Sequence, residues 1–203
     1  NVQFHSGGWD DRNSRGNGTF KTDQRWGARF SYGTDSAKKF SWSSGIGTEQ
    51  EELNGSWSVS SDIGFTYRPN DRFSINFDLR LKKRNGWLLH TTEADFATFD
   101  ADNLQPKLGV NFFLTARQQL RMSMQWVAVN AKAVDHWRVP AKRGPLVPVT
   151  YKENPPNEDF TLSRLTAQLR YRWEIGPLSD MFIVYPRGST LSGIDPLVGF
   201  GDL

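Results

Sequence analysis

Charged and polar side chains recur at alternate positions in three stretches of this chain: Asp78, Arg80 and Lys82; Arg121 with Gln125; and Arg170, Arg172 and Glu174. A spacing of two puts each set on one side of an extended strand. Such rows, lining a channel, can set its charge selectivity or hold an anionic ligand. They can equally form salt bridges between neighbouring strands and plug the space they face. Cations and anions are mixed within the rows, which weakens the case for a dedicated anion channel.

Other chemistry has little support. The histidines, His5, His90 and His136, fall in or beside loops and none is paired at metal-ligand spacing; a metal site needs several converging donors. They read as solvated loop residues. The acidic pairs Glu51/Glu52, Glu93/Asp95 and Glu158/Asp159 lack a geometry that would set two carboxylates across a substrate. They read as solvated loop charges, or at most weak divalent-ion sites. Neither a Gly-x-Ser-x-Gly elbow nor a phosphate-cradling Gly-x-x-x-x-Gly-Lys motif occurs. With no cysteine in the chain, disulfides and thiolate metal sites are excluded. The expectation is a protein that is not an enzyme and carries no cofactor.

Residues 131–159 form the longest non-periodic stretch and carry five prolines, Pro140, Pro145, Pro148, Pro155 and Pro156. Loops this long are usually functional or disordered. His136, Trp137, Arg138, Lys142, Arg143 and Tyr151 make it the best candidate for contact with a glycan or protein partner. It can also fold inward to constrict a lumen, or be a semi-ordered loop with no ligand. Asn17-Gly-Thr19 and Asn54-Gly-Ser56 match the glycosylation pattern by chance on this reading.

The elements that must position these residues are strands. Trp57, Val59, Ile63, Phe65 and Tyr67 alternate with polar residues. After the turn Pro69–Arg72, Phe73, Ile75, Phe77, Leu79 and Leu81 do the same. Leu169, Tyr171 and Trp173 continue the pattern opposite Arg170, Arg172 and Glu174. A period of two with one apolar and one polar face is a β-strand signal. About nine such strands are expected, separated by connections that alternate long and short. Residues 6–22 read as a flexible polar loop, about 83–103 as a long link whose Trp87, Leu88 and Leu89 allow part of it to extend a hairpin, and the chain beyond Pro186 as loop. Alternating connections describe an up-and-down barrel in an outer membrane, with tight turns at one rim and large loops at the other.

Composition fits that reading. Mean hydropathy is −0.60, and no apolar run approaches the roughly 18–20 residues of a membrane-spanning helix. A barrel that hides its polar half in a lumen keeps its mean hydropathy low. The clearest apolar faces carry no charge, and a charge there would cost about 2–4 kcal/mol at the bilayer midplane. Trp57, Tyr67, Trp126, Tyr171 and Trp173 lie near the ends of apolar stripes, as interfacial girdles require. The lipid-facing set is thus Trp57, Ile63, Phe65, Tyr67, Phe73, Ile75, Phe77, Leu79, Leu169, Tyr171 and Trp173. A net charge of +3 without a basic run gives nucleic-acid binding no support. The competing architecture is a soluble β-sandwich, which also buries one face per strand, but Greek-key connections give no reason for every long loop to lie at one end.

Two segments carry a resemblance: Leu169-Arg-Tyr-Arg-Trp-Glu-Ile-Gly-Pro-Leu-Ser-Asp-Met-Phe-Ile-Val-Tyr185 and Thr115-Ala-Arg-Gln-Gln-Leu-Arg-Met-Ser-Met-Gln-Trp126. Both resemble the C-terminal region of an uncharacterised bacterial family whose members join an N-terminal β-sandwich, similar to carbohydrate-binding module family 9, to an outer-membrane barrel. The likeness is best over 104–186. It implies the outer membrane of a Gram-negative bacterium and supplies no catalytic residues. The family ends on one more strand with a terminal aromatic, whereas this chain ends Gly201-Asp202-Leu203.

The combined expectation is an all-β, antiparallel up-and-down transmembrane barrel segment over 1–203, lacking its N-terminal strands and its closing C-terminal strand. Its partner is the lipid bilayer, and it acts as a pore, a transport-related component or a platform for a partner domain. The alternatives are a non-conducting cell-surface barrel that binds glycan or protein, and a soluble β-sandwich carbohydrate-binding module.

Overall fold

The computed structural model describes residues 1–53, 55–151 and 156–193. Asn54, Pro155 and Gly201–Leu203, which entered the sequence reading, lie outside them. The elements are β1 (Val2–His5), β2 (Trp9–Asp10), β3 (Phe20–Lys21), β4 (Arg25–Gly33), β5 (Phe40–Gln50), β6 (Trp57–Asn70), β7 (Phe73–His90), β8 (Asp95–Thr115), β9 (Gln118–Arg138), β10 (Gly144–Pro145), β11 (Val147–Val149), β12 (Phe160–Gly176) and β13 (Ser179–Gly193). Ten of them form one sheet, ordered β1-β4-β5-β6-β7-β8-β9-β12-β13 with β11 paired onto β9. The ladders along this path are all antiparallel. The fold is therefore an all-β antiparallel meander. Among the described residues β1 and β13 are its edges and do not pair with each other.

Register turns the alternation within each strand into two continuous faces. One row runs Phe40, Tyr67, Ile75, Val110, Met122, Leu169 and Tyr185 through successive partners. The next contains Trp42, Phe65, Phe77, Leu108, Met124 and Ala167. The opposite face reads Ser43, Gly64, Asp78, Lys107, Gln125 and Thr166. On β5 and β6 the burial runs opposite to that of a water-soluble sheet. Ser58 is 1% exposed while its neighbour Trp57 is 43% and Ile63 52% exposed.

Several expected connections are shorter than the sequence suggested. The link at 83–103 is mostly strand, because β7 and β8 continue upward and leave only 91–94 as loop. A bulge between Arg84 and Trp87 interrupts their ladder. Gly86 occupies it with φ +77°, a left-handed backbone that glycine adopts without steric cost. The bulge hides the period-two signal by shifting the alternation. Likewise β9 takes in 131–138, so His136, Trp137 and Arg138 are strand residues. The segment after Pro186 is not loop: β13 runs on to Gly193, paired with β12 throughout. Pro186 stands opposite Gln168 within that ladder.

At the loop end sits a small conventional core. Phe20, Leu53, Leu88, Phe96, Val139 and Leu146 are buried together, with Trp137 and Ala94 against them. Phe20 comes from the stretch expected to be a flexible polar loop. That stretch is instead folded: β3 pairs with β2 and, in parallel, with β10. Asp10 holds the turn by accepting hydrogen bonds from the Arg12 and Asn13 backbone N–H groups at 2.9 and 3.0 Å. A second apolar cluster, around Ala97, Phe99, Ala101, Val129 and Ala131, lies on the sheet's other side at the same end.

Candidate functional site

Among the described residues, the sequence-predicted rows meet on the polar face. Asp78, Arg80 and Lys82 lie on one face of β7, as expected from their spacing. Register sets Asp78 opposite Lys107, and Arg80 between Asp62 and Gln105. Gln125 follows Lys107 in the same row. Asp62, Asp78, Arg80, Gln105, Lys107 and Gln125 line a depression of about 310 Å³. Arg121, two strands over, stands directly opposite Arg170. Arg172 makes a bidentate ion pair with Asp180 at 3.1 and 3.0 Å, so the row Arg170, Arg172 and Glu174 is partly closed by a hairpin partner. Glu174 donates its backbone N–H to Arg117 at 2.8 Å.

The face also holds charges that the sequence reading did not single out. Arg29 pairs with Asp62. They meet across Gly45, where an added Cβ would lie 2.7 Å from the guanidinium and 2.9 Å from both carboxylate oxygens. Lys82 pairs with Glu49. Long side chains thus lie flat across small residues, an arrangement that requires register and is invisible in a single strand.

Above this face the acidic pairs depart from the expectation of solvated loop charges. Glu51 is 3% exposed and is gripped by Arg84 through two hydrogen bonds, Nε at 2.9 and Nη2 at 2.8 Å. Arg84 in turn lies 4.3 Å from the centre of the Trp87 ring, a cation–π distance. Burial raises the Glu52 carboxyl above the ordinary glutamate range, although Arg25 at 3.2 Å opposes that shift. Asp95 takes two hydrogen bonds from Arg138, at 2.5 and 2.8 Å. That contact holds its carboxyl below the usual aspartate value.

The long loop's candidates separate into two groups. Trp137 turns inward onto the Phe96 core, with its indole N–H toward Thr98 Oγ1 at 3.5 Å. His136 is likewise half-buried, 3.5 Å from Glu158 and edge-on to Tyr151 with ring centres 5.1 Å apart. His90 packs edge-on to Phe96. His90 and His136 are therefore strand residues with partners, not solvated loop groups. Lys142 and Arg143 are exposed and remain free to meet a partner. Among the described residues no cluster of three or more potential metal ligands is present.

The outer face is the second candidate surface. Trp57, Ile63, Phe65, Tyr67, Leu169 and Trp173 are exposed there, and Phe73, Ile75, Phe77, Leu79 and Tyr171 are half-buried. Among the described residues no second layer covers this face. Toward the loops it ends at a polar row of Lys83, Asp102 and Asn130, followed by Asp100 opposite Lys132. No helix among the described residues is long and apolar enough to cross a membrane, which says nothing of a barrel.

A family model described as a domain of unknown function (DUF5916) matches residues 5–191, nearly the whole chain. The chain belongs to that family. Neither the curated proteins nor the solved structures contain a match.

Proposed function

We propose that this chain is the wall of a β-barrel in a bacterial outer membrane, serving as a pore, a transport-related component or the platform for a partner domain. One observation carries the reading: an uncovered apolar face that runs without a break from β5 to β12. On β7 the stripe extends from Phe73 to Leu81, on β8 from Leu104 to Leu114 and on β9 from Leu120 to Ala128. Each matches the roughly 9–11 residues of a tilted transmembrane strand. The charged row above it marks where headgroups begin. Water would penalise this face by about 25 cal/mol per Å² of apolar surface, whereas hydrocarbon removes that cost. The opposite, polar face is then the lumen.

Hydrocarbon also forbids free strand edges, because each unpaired backbone group there costs several kcal/mol. The reading therefore requires β1 and β13 to be joined through further strands or another chain. A sandwich-like partner domain, suggested by the family resemblance, belongs to the same proposal. The folded loop-end core favours a second reading, in which the barrel does not conduct and the loops present Lys142 and Arg143 to a glycan or protein.

Extraction and conductance separate these readings. The barrel reading expects release from membranes only with detergent and a heat-modifiable band on gels. The pore reading adds stepwise conductance in planar bilayers; a detergent-dependent, silent protein supports the binding barrel. Extraction in aqueous buffer alone contradicts both.

A further inference from the structure

Like charges directly opposite on neighbouring strands destabilise a sheet, yet Arg121 and Arg170 are register partners on β9 and β12. The surroundings do nothing to neutralise them. Their row continues through Ser74 and Asn111 on one side and Val184 on the other. The flanking residues on the same face of their own strands are Gln119 and Ser123, and Gln168 and Arg172. No carboxylate is among them. Asp180, the nearest acid on β13, is already engaged by both arms of Arg172. Neither Arg121 nor Arg170 has an ion-pair partner among the described residues.

Arg121 is also held in place. Its Nε donates to Asn111 Oδ1 at 2.6 Å, and Asn111 Nδ2 lies 3.5 Å from Ser74 Oγ. With Nε committed to the asparagine, the two Nη groups are left for another acceptor. Both arginines are exposed on the polar face, so a solute reaches them without displacing protein. Guanidinium groups bind carboxylate and phosphate through paired, charge-assisted hydrogen bonds.

We propose that Arg121 and Arg170 form an oxyanion seat near the tight-turn end of the polar face, taking the carboxylate or phosphate group of a solute that enters the lumen. The seat rests on reading this face as a lumen, but its binding chemistry is measurable whether or not the barrel conducts.

The test is titration calorimetry of the detergent-solubilised full chain with inorganic phosphate and, separately, with citrate. Saturable binding of one or both is expected, and the preferred anion identifies the headgroup chemistry. Arg121→Gln and Arg170→Gln should each weaken binding about tenfold or more, the worth of a lost charge-assisted hydrogen bond. Arg172→Gln, which removes an equal charge already paired with Asp180, should leave it within about twofold of the parent. Heat-modifiable migration checks that each variant is folded; where Arg121→Gln is not, Asn111→Ala frees the braced guanidinium and should weaken binding several-fold. An absence of saturable binding, or an equal loss in all three arginine variants, overturns the seat. Failure of the pore reading shows itself separately, as silent bilayers with anion binding intact.

Discussion

The two ends of this sheet obey opposite rules of burial. At the turn end, on β5 and β6, Ser41 is buried while Phe40, Trp42 and Tyr67 are exposed. At the loop end the ordinary rule returns: Phe20 and Phe96 are 0% and 1% exposed and pack ring against ring, 5.1 Å between centres. The same strands, β7 and β8, pass through both regions. On the proposed barrel reading, what changes along them is the solvent they are suited to, with the row of Lys83, Asp102 and Asn130 at the change.

Substitutions in the two regions should therefore behave differently. Phe96→Ala removes the centre of the loop-end core and should cost about 3–5 kcal/mol locally. Faster hydrogen exchange and proteolysis at the loop end, with an unchanged turn end, would display it. Phe77→Arg places a charge on the apolar band and should cost about 2–4 kcal/mol in a bilayer, read as a shift in the denaturant midpoint of refolding into vesicles. If that substitution is neutral in vesicles, the contrast between the regions collapses.

Two smaller effects refine the loop end. Glu51→Ala leaves Arg84 without its buried partner. The cost should be about 2–3 kcal/mol, below that of a fully buried pair because Arg84 keeps some water. Local exchange at residues 84–87 reports it. The pH response pits Asp95 against Glu52. The lowered Asp95 carboxyl adds stability above its unfolded value of about 3.9, and that stability is lost as pH falls through its folded value. The raised Glu52 carboxyl works the other way: it favours the fold below about 4.3, its unfolded value, and withdraws that support as pH rises. Arg138→Gln should flatten the acid-side loss in loop-end exchange, and Glu52→Gln should deepen it.

The strands of the band were legible because a period of two leaves a trace in each strand alone. Phe73 to Leu81 announces its faces without knowledge of a neighbour. The loop-end core left no such trace. Phe20 sits among glycines and polar residues, and Leu53, Leu88, Val139 and Leu146 are joined only by the fold. Glu51 and Arg84 are far apart in sequence, so neither carried a sign that it would be buried. Pro186, Gly188 and the small polar residues after them masked the length of β13, because proline and glycine carry little strand signal. The opposition of Arg121 and Arg170 depends on register, which the strand pattern alone does not fix.

Since the chain has no native cysteine, single cysteines can be scanned along β6 from Ser58 to Tyr67, spin-labelled and reconstituted in lipid vesicles. The account predicts that labels from Ile63→Cys, Phe65→Cys and Tyr67→Cys collide with oxygen dissolved in the bilayer. Labels from Ser60→Cys, Asp62→Cys and Thr66→Cys should instead respond to a water-soluble relaxant, giving a period of two along the strand. Labels at Ile63 and Phe65 that meet water, or that are shielded from both agents inside protein, would contradict it.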